Sequence, residues 1–359
     1  MRIAQISPLA EAVPPRLYGG TERVVSWLSE ALVYSGHDVT LFASGDSLTT
    51  ATLAPIVPQA LRLSGVPDHV PSTLLMLDEV RKRADEFDVI HFHLDMLQYP
   101  LFESIAHKCV TTLHGRLDLP YTHGAYRRFS TMPLVSISAA QRAPMPAGLN
   151  WLATIHHGLP TNLYTSGSGD GGYLLFLGRM APEKRSDRAI EIAKRAGIPL
   201  KIAAKVDSAD ENYFRENIEP LLAHPLIDFL GEVNDMQKQD LLGRARALLF
   251  PIDWPEPFGL VMIEAMATGT PVIAWPEGSV PEVLKDRLTG SVVRTLDEAA
   301  RAAQTIDNLD RLLIREEFER RFTAECMARQ YVKAYEQLSP GLDSTSSRSI
   351  AATELVISN

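Results

Sequence analysis

Two glutamates eight residues apart, Glu256 and Glu264, enclose the segment EPFGLVMIE and give the clearest chemical signal in the sequence. A Pro-Phe-Gly turn follows the first carboxylate and leads into an apolar run that favours a helix. If this helix begins near Phe258, the two carboxylates lie roughly 12 Å apart along its axis and within about 80° of one face. That separation matches the span from a sugar ring, across a diphosphate, to a ribose.

The residues between the two carboxylates could bind an anion. At a helix N-terminus the backbone N–H groups of Phe258, Gly259 and Leu260 have no partner within the helix, and the helix dipole favours negative charge. The segment therefore predicts a site for a sugar joined to a nucleotide. The structural alternative is a carboxylate at a helix start followed by a solvated helix residue.

A second candidate group is basic and lies in FLGRMAPEKRSDRAIEIA, residues 176–193. A predicted strand and a glycine turn precede Arg179 and Lys184, and a helix follows them. An arginine fork can hold phosphate oxygens in two places, and a lysine adds a mobile point charge. The pattern predicts a contact with a diphosphate, with a solvated basic loop as the alternative. Arg185 is interpreted as a surface residue.

The first half of the chain has candidates at the ends of its predicted strands. Gly19 and Gly20 follow the first strand and open a helix, so backbone N–H groups could approach a phosphate closely, but the G-x-G-x-x-G spacing is missing. His114 ends a strand in TTLHG, where parallel sheets place ligands. His91 and His93 share one side of the preceding strand without a third ligand, so we interpret them as satisfied polar residues rather than a metal site.

Residues 251–283, PIDWPEPFGLVMIEAMATGTPVIAWPEGSVPEV, resemble the signature of the retaining GT-B glycosyltransferases of family 4, the glycosyl transferases of group 1. The resemblance implies that Glu256 contacts the transferred sugar and that Glu264 contacts the ribose hydroxyls. It also implies that Arg179 and Lys184 hold the diphosphate.

The same resemblance implies that His114, in a T-x-H-G loop, reaches the donor sugar and its phosphate, and that Gly19 and Gly20 serve the donor phosphates and the acceptor mouth. The implied reaction moves a hexose from a UDP- or GDP-linked sugar to a hydroxyl of a glycan or lipid-linked acceptor, as in polysaccharide biosynthesis, with the anomeric configuration retained. No metal or other cofactor is implied, because protein cations can stabilise the diphosphate. A GT-B-fold nucleotide-sugar epimerase, a phosphorylase and a non-catalytic nucleotide-sugar binding protein stay open as alternatives.

Strand and helix patterns alternate through both halves of the chain, which predicts two parallel sheets with crossover helices. With the resemblance, the expected fold is α/β GT-B, two Rossmann-like doubly wound domains facing across a cleft. We expect an acceptor-side domain over residues 1–158, a nucleotide-sugar domain over 159–321, a terminal helix over 322–338 that returns to the first domain, and a mobile tail over 339–359. Residues 158–172, dense in Gly and Ser, have the composition of a flexible connector.

Composition limits the partners and the compartment. The chain has 359 residues, 45% of them hydrophobic, and its net charge of −9 without a Lys/Arg-rich run argues against nucleic acid as a partner. Cys109 and Cys326 are far apart, which fits a reducing compartment. The N-terminus does not resemble a signal peptide, and no apolar run reaches the length of a spanning helix. We expect a cytoplasmic enzyme, with peripheral contact at the inner face of the membrane left open and the oligomeric state not indicated.

Overall fold

The computed structural model describes residues 1–16 and 19–338, which form two sheets whose strands pair in parallel. The predicted tail over 339–359 lies outside the described residues. The α/β fold with two doubly wound sheets, predicted from the alternating patterns, is confirmed.

The first sheet belongs to the N-terminal half. Its strands are β1 (Arg2–Ile6), β2 (Asp38–Ser44), β3 (Thr52–Val57), β4 (Val89–Phe92), β5 (Cys109–Leu113), β6 (Leu134–Ser136) and β7 (Trp151–Thr154), and the α-helices are α1 (Gly20–Tyr34), α2 (Val70–Lys82), α3 (Tyr99–Phe102), α4 (His123–Arg128) and α5 (Ala139–Arg142). The spatial order is β3-β2-β1-β4-β5-β6-β7, so the winding direction reverses between β1 and β4. Central strands such as β4 and β5 are buried along their whole length, as expected for parallel sheets covered on both faces.

The second sheet repeats this winding. Its strands are β8 (Leu174–Arg179), β9 (Leu200–Lys205), β10 (Ile227–Gly231), β11 (Ala247–Phe250), β12 (Val272–Ala274) and β13 (Gly290–Val292), and the α-helices are α6 (Ser186–Ala196), α7 (Glu211–Tyr213), α8 (Asp235–Arg244), α9 (Leu260–Ala267), α10 (Val280–Val283), α11 (Leu296–Thr305), α12 (Arg311–Arg321) and α13 (Ala324–Leu338). The order is β10-β9-β8-β11-β12-β13, and the winding reverses between β8 and β11. Ligands of open parallel sheets bind outside the carboxyl ends of the strands at such reversals.

The chain crosses between the two sheets twice, and the two crossings touch. Leu159 N donates to Phe322 O at 3.0 Å, and Ala324 N donates to Leu159 O at 2.9 Å. An ideal Cβ on Gly158 would lie 2.2 Å from the carbonyl oxygen of Thr323, so only glycine fits there without a backbone shift. From this point α13 packs along α1 of the first domain. Within residues 1–16 and 19–338, no helix has the length and apolarity required to cross a membrane.

The segment 158–172 is not a flexible connector, and this prediction is wrong. Gly167 N donates to Thr268 O, and Gly169 N donates to Gly243 O, both at 2.9 Å. An ideal Cβ on Gly167 would lie 2.1 Å from Gly243 O. The glycines of this segment therefore permit close backbone contact with the second domain, and its composition reflects packing rather than freedom.

Candidate active site

The candidate residues of the second domain follow the two strands that flank its winding reversal. β8 ends at Arg179, and a short 3-10 turn over Pro182–Lys184 comes next. β11 ends at Phe250, and the segment that carries Glu256 follows it. The topology thus brings both predicted groups to the edge of the sheet where ligands bind.

The turn over residues 256–259, here called the donor turn, stands before α9 rather than inside it. The sequence predicted a helix start near Phe258, but α9 begins at Leu260, and Gly259 precedes it in the left-handed conformation with φ 77° and ψ 70°. Glycine adopts this conformation without steric cost. Glu256 therefore lies in the turn, and the separation expected for two glutamates on one helix does not apply.

The donor turn and the first residue of α9 together present three backbone N–H donors. Within residues 1–16 and 19–338, the N–H groups of Phe258, Gly259 and Leu260 have no hydrogen-bond acceptor. The Phe258 side chain is buried and its ring centroid lies 4.9 Å from that of His157. Unpaired N–H groups at the start of a helix form an anion-binding end.

A loop after β12 holds the donor turn from behind. Ser279 N donates to Glu256 O at 3.0 Å, and Ser279 Oγ donates to Phe258 O at 2.6 Å. Gly278 has φ 54°, and an ideal Cβ there would lie 2.3 Å from both the N and the O of Glu256. The position of the Glu256 backbone thus depends on a glycine and a serine at this loop.

The two glutamates are buried, and each is paired with a lysine. Glu256 is 9% exposed, and its Oε2 accepts a short hydrogen bond from Lys184 Nζ and a second from Trp254 Nε1 at 3.0 Å. Glu264 is 5% exposed, and its Oε1 accepts from Lys238 Nζ at 2.9 Å. Because Glu264 is buried, the alternative of a solvated helix residue is wrong.

Arg179 lies between two carboxylates. Its Nη2 donates to Glu183 Oε1 at 2.7 Å, and its Nε lies 3.6 Å from Asp210 Oδ2. With Lys184 bound to Glu256, both cations predicted to hold a diphosphate are paired with carboxylates.

Arg185, which the sequence analysis interpreted as a surface residue, belongs to a network of ion pairs. It is partly buried and adopts a left-handed backbone conformation with φ 55° and ψ 49°. Its guanidinium binds Asp187 at 2.8 Å and Asp253 at 2.6 Å, and these carboxylates, Asp187 first, raise its pKa. The residue ties the loop after β8 to the segment after β11.

His114 follows β5 of the first domain and faces other histidines. Its Nε2 lies 2.9 Å from His93 Nδ1, and its ring stacks on that of His157 with centroids 5.3 Å apart. Burial lowers the pKa of His114 to about 3, so the imidazole is neutral at physiological pH. Its Nδ1 has no hydrogen-bond partner in the part of the chain that the structure describes.

His91 and His93 are hydrogen-bonded core residues, as expected. His91 binds Tyr335 OH at 2.8 Å and Thr112 Oγ1 at 2.7 Å, and His93 Nε2 binds Gln5 Oε1 at 2.7 Å. Among the described residues, no group of three or more His, Cys, Asp or Glu side chains could hold a metal ion.

Gly19 and Gly20, the two candidate glycines of the first domain, have different neighbours. An ideal Cβ on Gly20 would lie 3.9 Å from Leu260 Cδ1, which places Gly20 opposite the start of α9. Gly19 packs instead on Pro15, whose Cβ would be 2.8 Å from an added Cβ. Residues 17 and 18, which lie between Pro15 and Gly19 in the sequence, are outside the described part of the chain.

Direct contacts join the first domain to the donor turn. Ser138 Oγ donates to Pro257 O at 2.7 Å. Nearby, the carboxylate of Glu282 accepts from Ala139 N and Ala140 N, both at 2.8 Å. The first domain therefore contacts the second domain within the block over residues 251–283.

Comparisons with known proteins agree with this arrangement. A family model for Glycosyltransferase Family 4 matches residues 18–144, and one for Glycosyl transferases group 1 matches residues 166–325. The chain belongs to the group 1 GT-B glycosyltransferases. The phosphatidyl-myo-inositol mannosyltransferase of Mycobacterium leprae is 27% identical to this glycosyltransferase, over 94% of this chain and 97% of that protein.

Solved structures share the GT-B fold of this glycosyltransferase. Sucrose-phosphate synthase from Thermosynechococcus elongatus has 20% identity and a TM-score of 0.73, and the match covers 94% of this chain and 99% of that one. Anabaena HepE, solved in complex with UDP and glucose, has 18% identity and a TM-score of 0.68, with coverages of 93% and 98%. The predicted family and fold are thus confirmed.

Several residues around the candidate site were not found by the sequence analysis. Gly278 and Ser279 lie in the recognised block over 251–283, so that motif could have drawn attention to them. Ser138 and Lys238 carry no local signal, because their contacts with Pro257 and Glu264 arise only from tertiary packing.

Replacing Gly278 with alanine should displace the donor turn and destabilise the second domain. The new Cβ meets the Glu256 backbone, and alanine is strained at positive φ, so we expect a loss of about 1–3 kcal/mol and a lower thermal unfolding midpoint. Gly178→Ala is the matched control, because an ideal Cβ there has no heavy atom within 4 Å. Equal midpoints for the two variants would contradict the close contact.

Proposed function

We propose that this glycosyltransferase moves a hexose from a UDP- or GDP-linked sugar to a hydroxyl group of a glycan or lipid-linked acceptor, with the anomeric configuration retained. The observation that carries the proposal is the donor turn, where three unpaired N–H groups lie in sequence between two buried glutamates, each bound to a lysine. A diphosphate supplies the anion that such N–H groups bind, and carboxylates suit the hydroxyls on either side of it.

In this proposal a different glutamate binds each end of the nucleotide-sugar donor. Glu264 accepts hydrogen bonds from the ribose hydroxyls, and Lys238 at 2.9 Å holds its carboxylate in place. Glu256 accepts from hydroxyls of the sugar ring. The N–H groups of Phe258 to Leu260 bind the diphosphate between them.

Binding of the diphosphate requires an exchange of ion pairs. The structure pairs Lys184 with Glu256, and a phosphate oxygen of the donor competes for the same ammonium group. When Lys184 moves to the diphosphate, the Glu256 carboxylate becomes available to the sugar hydroxyls. In the same way, Arg179 exchanges its ion pair with Glu183 for one with the diphosphate. Because charge on the diphosphate grows as the bond to the sugar breaks, these contacts strengthen in the transition state and raise the rate.

We infer a same-face substitution for the chemical step. The bond between the anomeric carbon and the diphosphate oxygen breaks, the acceptor oxygen bonds to the same face of that carbon, and the acceptor proton passes to the leaving diphosphate. Glu256 Oε2 keeps its hydrogen bond from Trp254 Nε1 when Lys184 moves to the diphosphate, which suits a carboxylate that orients hydroxyls better than one that attacks carbon.

The proposed reaction uses protein cations and N–H groups in place of a metal ion. We therefore expect that an excess of a chelator such as EDTA leaves the rate of donor turnover unchanged, since Arg179, Lys184 and the donor turn compensate the diphosphate charge. Loss of activity that Mg²⁺ or Mn²⁺ restores would contradict this part of the proposal.

The two glutamates should fail in different ways when each is replaced with glutamine. Glu256→Gln should lower kcat by about 100-fold or more while the nucleoside diphosphate still binds. Glu264→Gln should weaken binding of UDP or GDP by about 10-fold or more, because a charged hydrogen-bond acceptor for the ribose is lost. Steady-state kinetics and calorimetric titration separate these effects.

Glu277→Gln is the matched control for both variants, because Glu277 is an exposed carboxylate on the neighbouring loop. It should retain the wild-type kcat and nucleotide affinity. If Glu256→Gln and Glu264→Gln behave like this control, the assignment of the site is wrong.

A further inference from the structure

Polar side chains behind His114 form an unbroken chain of hydrogen bonds through the core of the first domain. The chain crosses β4, β1 and β5 and includes two tyrosines of α13, and every member except His114 is buried. Its links are His114 Nε2 to His93 Nδ1 at 2.9 Å, His93 Nε2 to Gln5 Oε1 at 2.7 Å, Gln5 Nε2 to Tyr335 OH at 3.2 Å, Tyr335 OH to His91 Nδ1 at 2.8 Å, His91 Nε2 to Thr112 Oγ1 at 2.7 Å, and Thr112 Oγ1 to Tyr331 OH at 2.9 Å.

The histidines of this chain are neutral. Burial, together with neighbouring histidines, lowers the pKa of His91 and of His93 well below the ordinary value. Burial also lowers the pKa of His114 to about 3. A neutral imidazole has one N–H donor and one nitrogen that accepts. If one ring nitrogen of a histidine accepts a hydrogen bond, the other must therefore donate one, and the reverse also holds.

The amide of Gln5 sets that direction. Its Nε2 faces Tyr335 OH and its Oε1 faces His93 Nε2. A carbonyl oxygen only accepts, so His93 donates from Nε2 and accepts at Nδ1. His114 must then donate from Nε2, and its Nδ1 carries a lone pair and no proton.

A flipped Gln5 amide reverses every link and gives an equally complete chain. In that arrangement His114 Nδ1 would carry a hydrogen without an acceptor among the described residues. A buried N–H group without a partner is rarer in proteins than a buried acceptor without one. The orientation found in the structure is therefore the favoured one.

The buried Nδ1 without a partner belongs to a ring that His157 separates from the donor turn. His114 stacks on His157 at 5.3 Å between centroids, and His157 packs edge-to-face on Phe258 at 4.9 Å. The direction fixed at Gln5 in the core thus reaches a side chain of the candidate active site.

We propose that Gln5, His93 and Tyr335 are positioning residues that hold His114 as the Nε2–H tautomer, so that its Nδ1 accepts a hydrogen bond from a hydroxyl group of the donor sugar. The hydroxyl partner rests on the proposed function, whereas the tautomer does not. A phosphate oxygen accepts and cannot donate to this nitrogen. The proposal therefore assigns Nδ1 of His114 to a hydroxyl of the sugar rather than to the phosphate.

Two tyrosines on the same helix provide a matched pair of variants. Tyr335→Phe removes the acceptor that orients the Gln5 amide, so both directions of the chain become accessible. Tyr331→Phe removes only the last acceptor of the chain, beyond Thr112, and leaves the direction at His114 unchanged. Both residues are fully buried, so a purely structural effect should appear in both variants.

The test is long-range ¹H–¹⁵N NMR of the histidine rings in the ligand-free full chain, combined with steady-state kinetics. In the wild type and in Tyr331→Phe we expect the protonated nitrogen of His114 to be Nε2. In Tyr335→Phe we expect signals of both tautomers or exchange-averaged shifts, and a kcat/KM lower by about five- to tenfold.

A wild-type spectrum with the proton on Nδ1 of His114 would overturn the proposal, as would equal changes in the two tyrosine variants. Failure of the proposed function is a separate result. In that case the wild-type chain neither binds nor turns over nucleotide sugars, whereas the tautomer is read from spectra recorded without any ligand.

Discussion

The contact between the donor turn and the loop at Gly278 and Ser279 determines which backbone groups the candidate active site can present to a ligand. Ser279 donates hydrogen bonds to the carbonyl oxygens of Glu256 and Phe258, and Ser138 donates one to that of Pro257. The N–H groups of Phe258 to Leu260 stay unpaired within residues 1–16 and 19–338. A turn whose acceptors are used and whose donors are not favours an anion. This polarity depends on Gly278, because a side chain there would push the two backbones apart.

Charge is divided unevenly between the domains that meet at this turn. The second domain supplies Arg179 and Lys184, which are paired with carboxylates and which we propose to bind the diphosphate. The first domain supplies His114, which burial keeps neutral, at the end of a core network. A donor held between them would meet cations at its diphosphate and an uncharged acceptor at its sugar. Tyr335, a member of this network, lies on α13, which packs against α1 of the first domain.

The sequence predicted most of what is local. Glu256 and Glu264 lie in one continuous block with the donor turn, so their types, spacing and order were readable without the fold. The start of α9 was placed two residues early, because the left-handed conformation of Gly259 leaves no trace in a helix-forming pattern. The connector was misjudged, because glycine-rich composition describes freedom and close backbone packing equally well. The Ser138 contact and the network through Gln5 need residues far apart in the chain, and no local pattern contains them.

The central claim is that the donor turn binds the diphosphate of the donor, and backbone amide NMR of the full chain with added UDP or GDP tests it most directly. Hydrogen bonds from N–H groups to phosphate move amide proton signals downfield. We expect the amide signals of Phe258, Gly259 and Leu260 to shift downfield in a saturable way, and to shift less in Glu264→Gln at the same nucleotide concentration. Saturable shifts elsewhere in the chain that leave these three signals unchanged would contradict the claim.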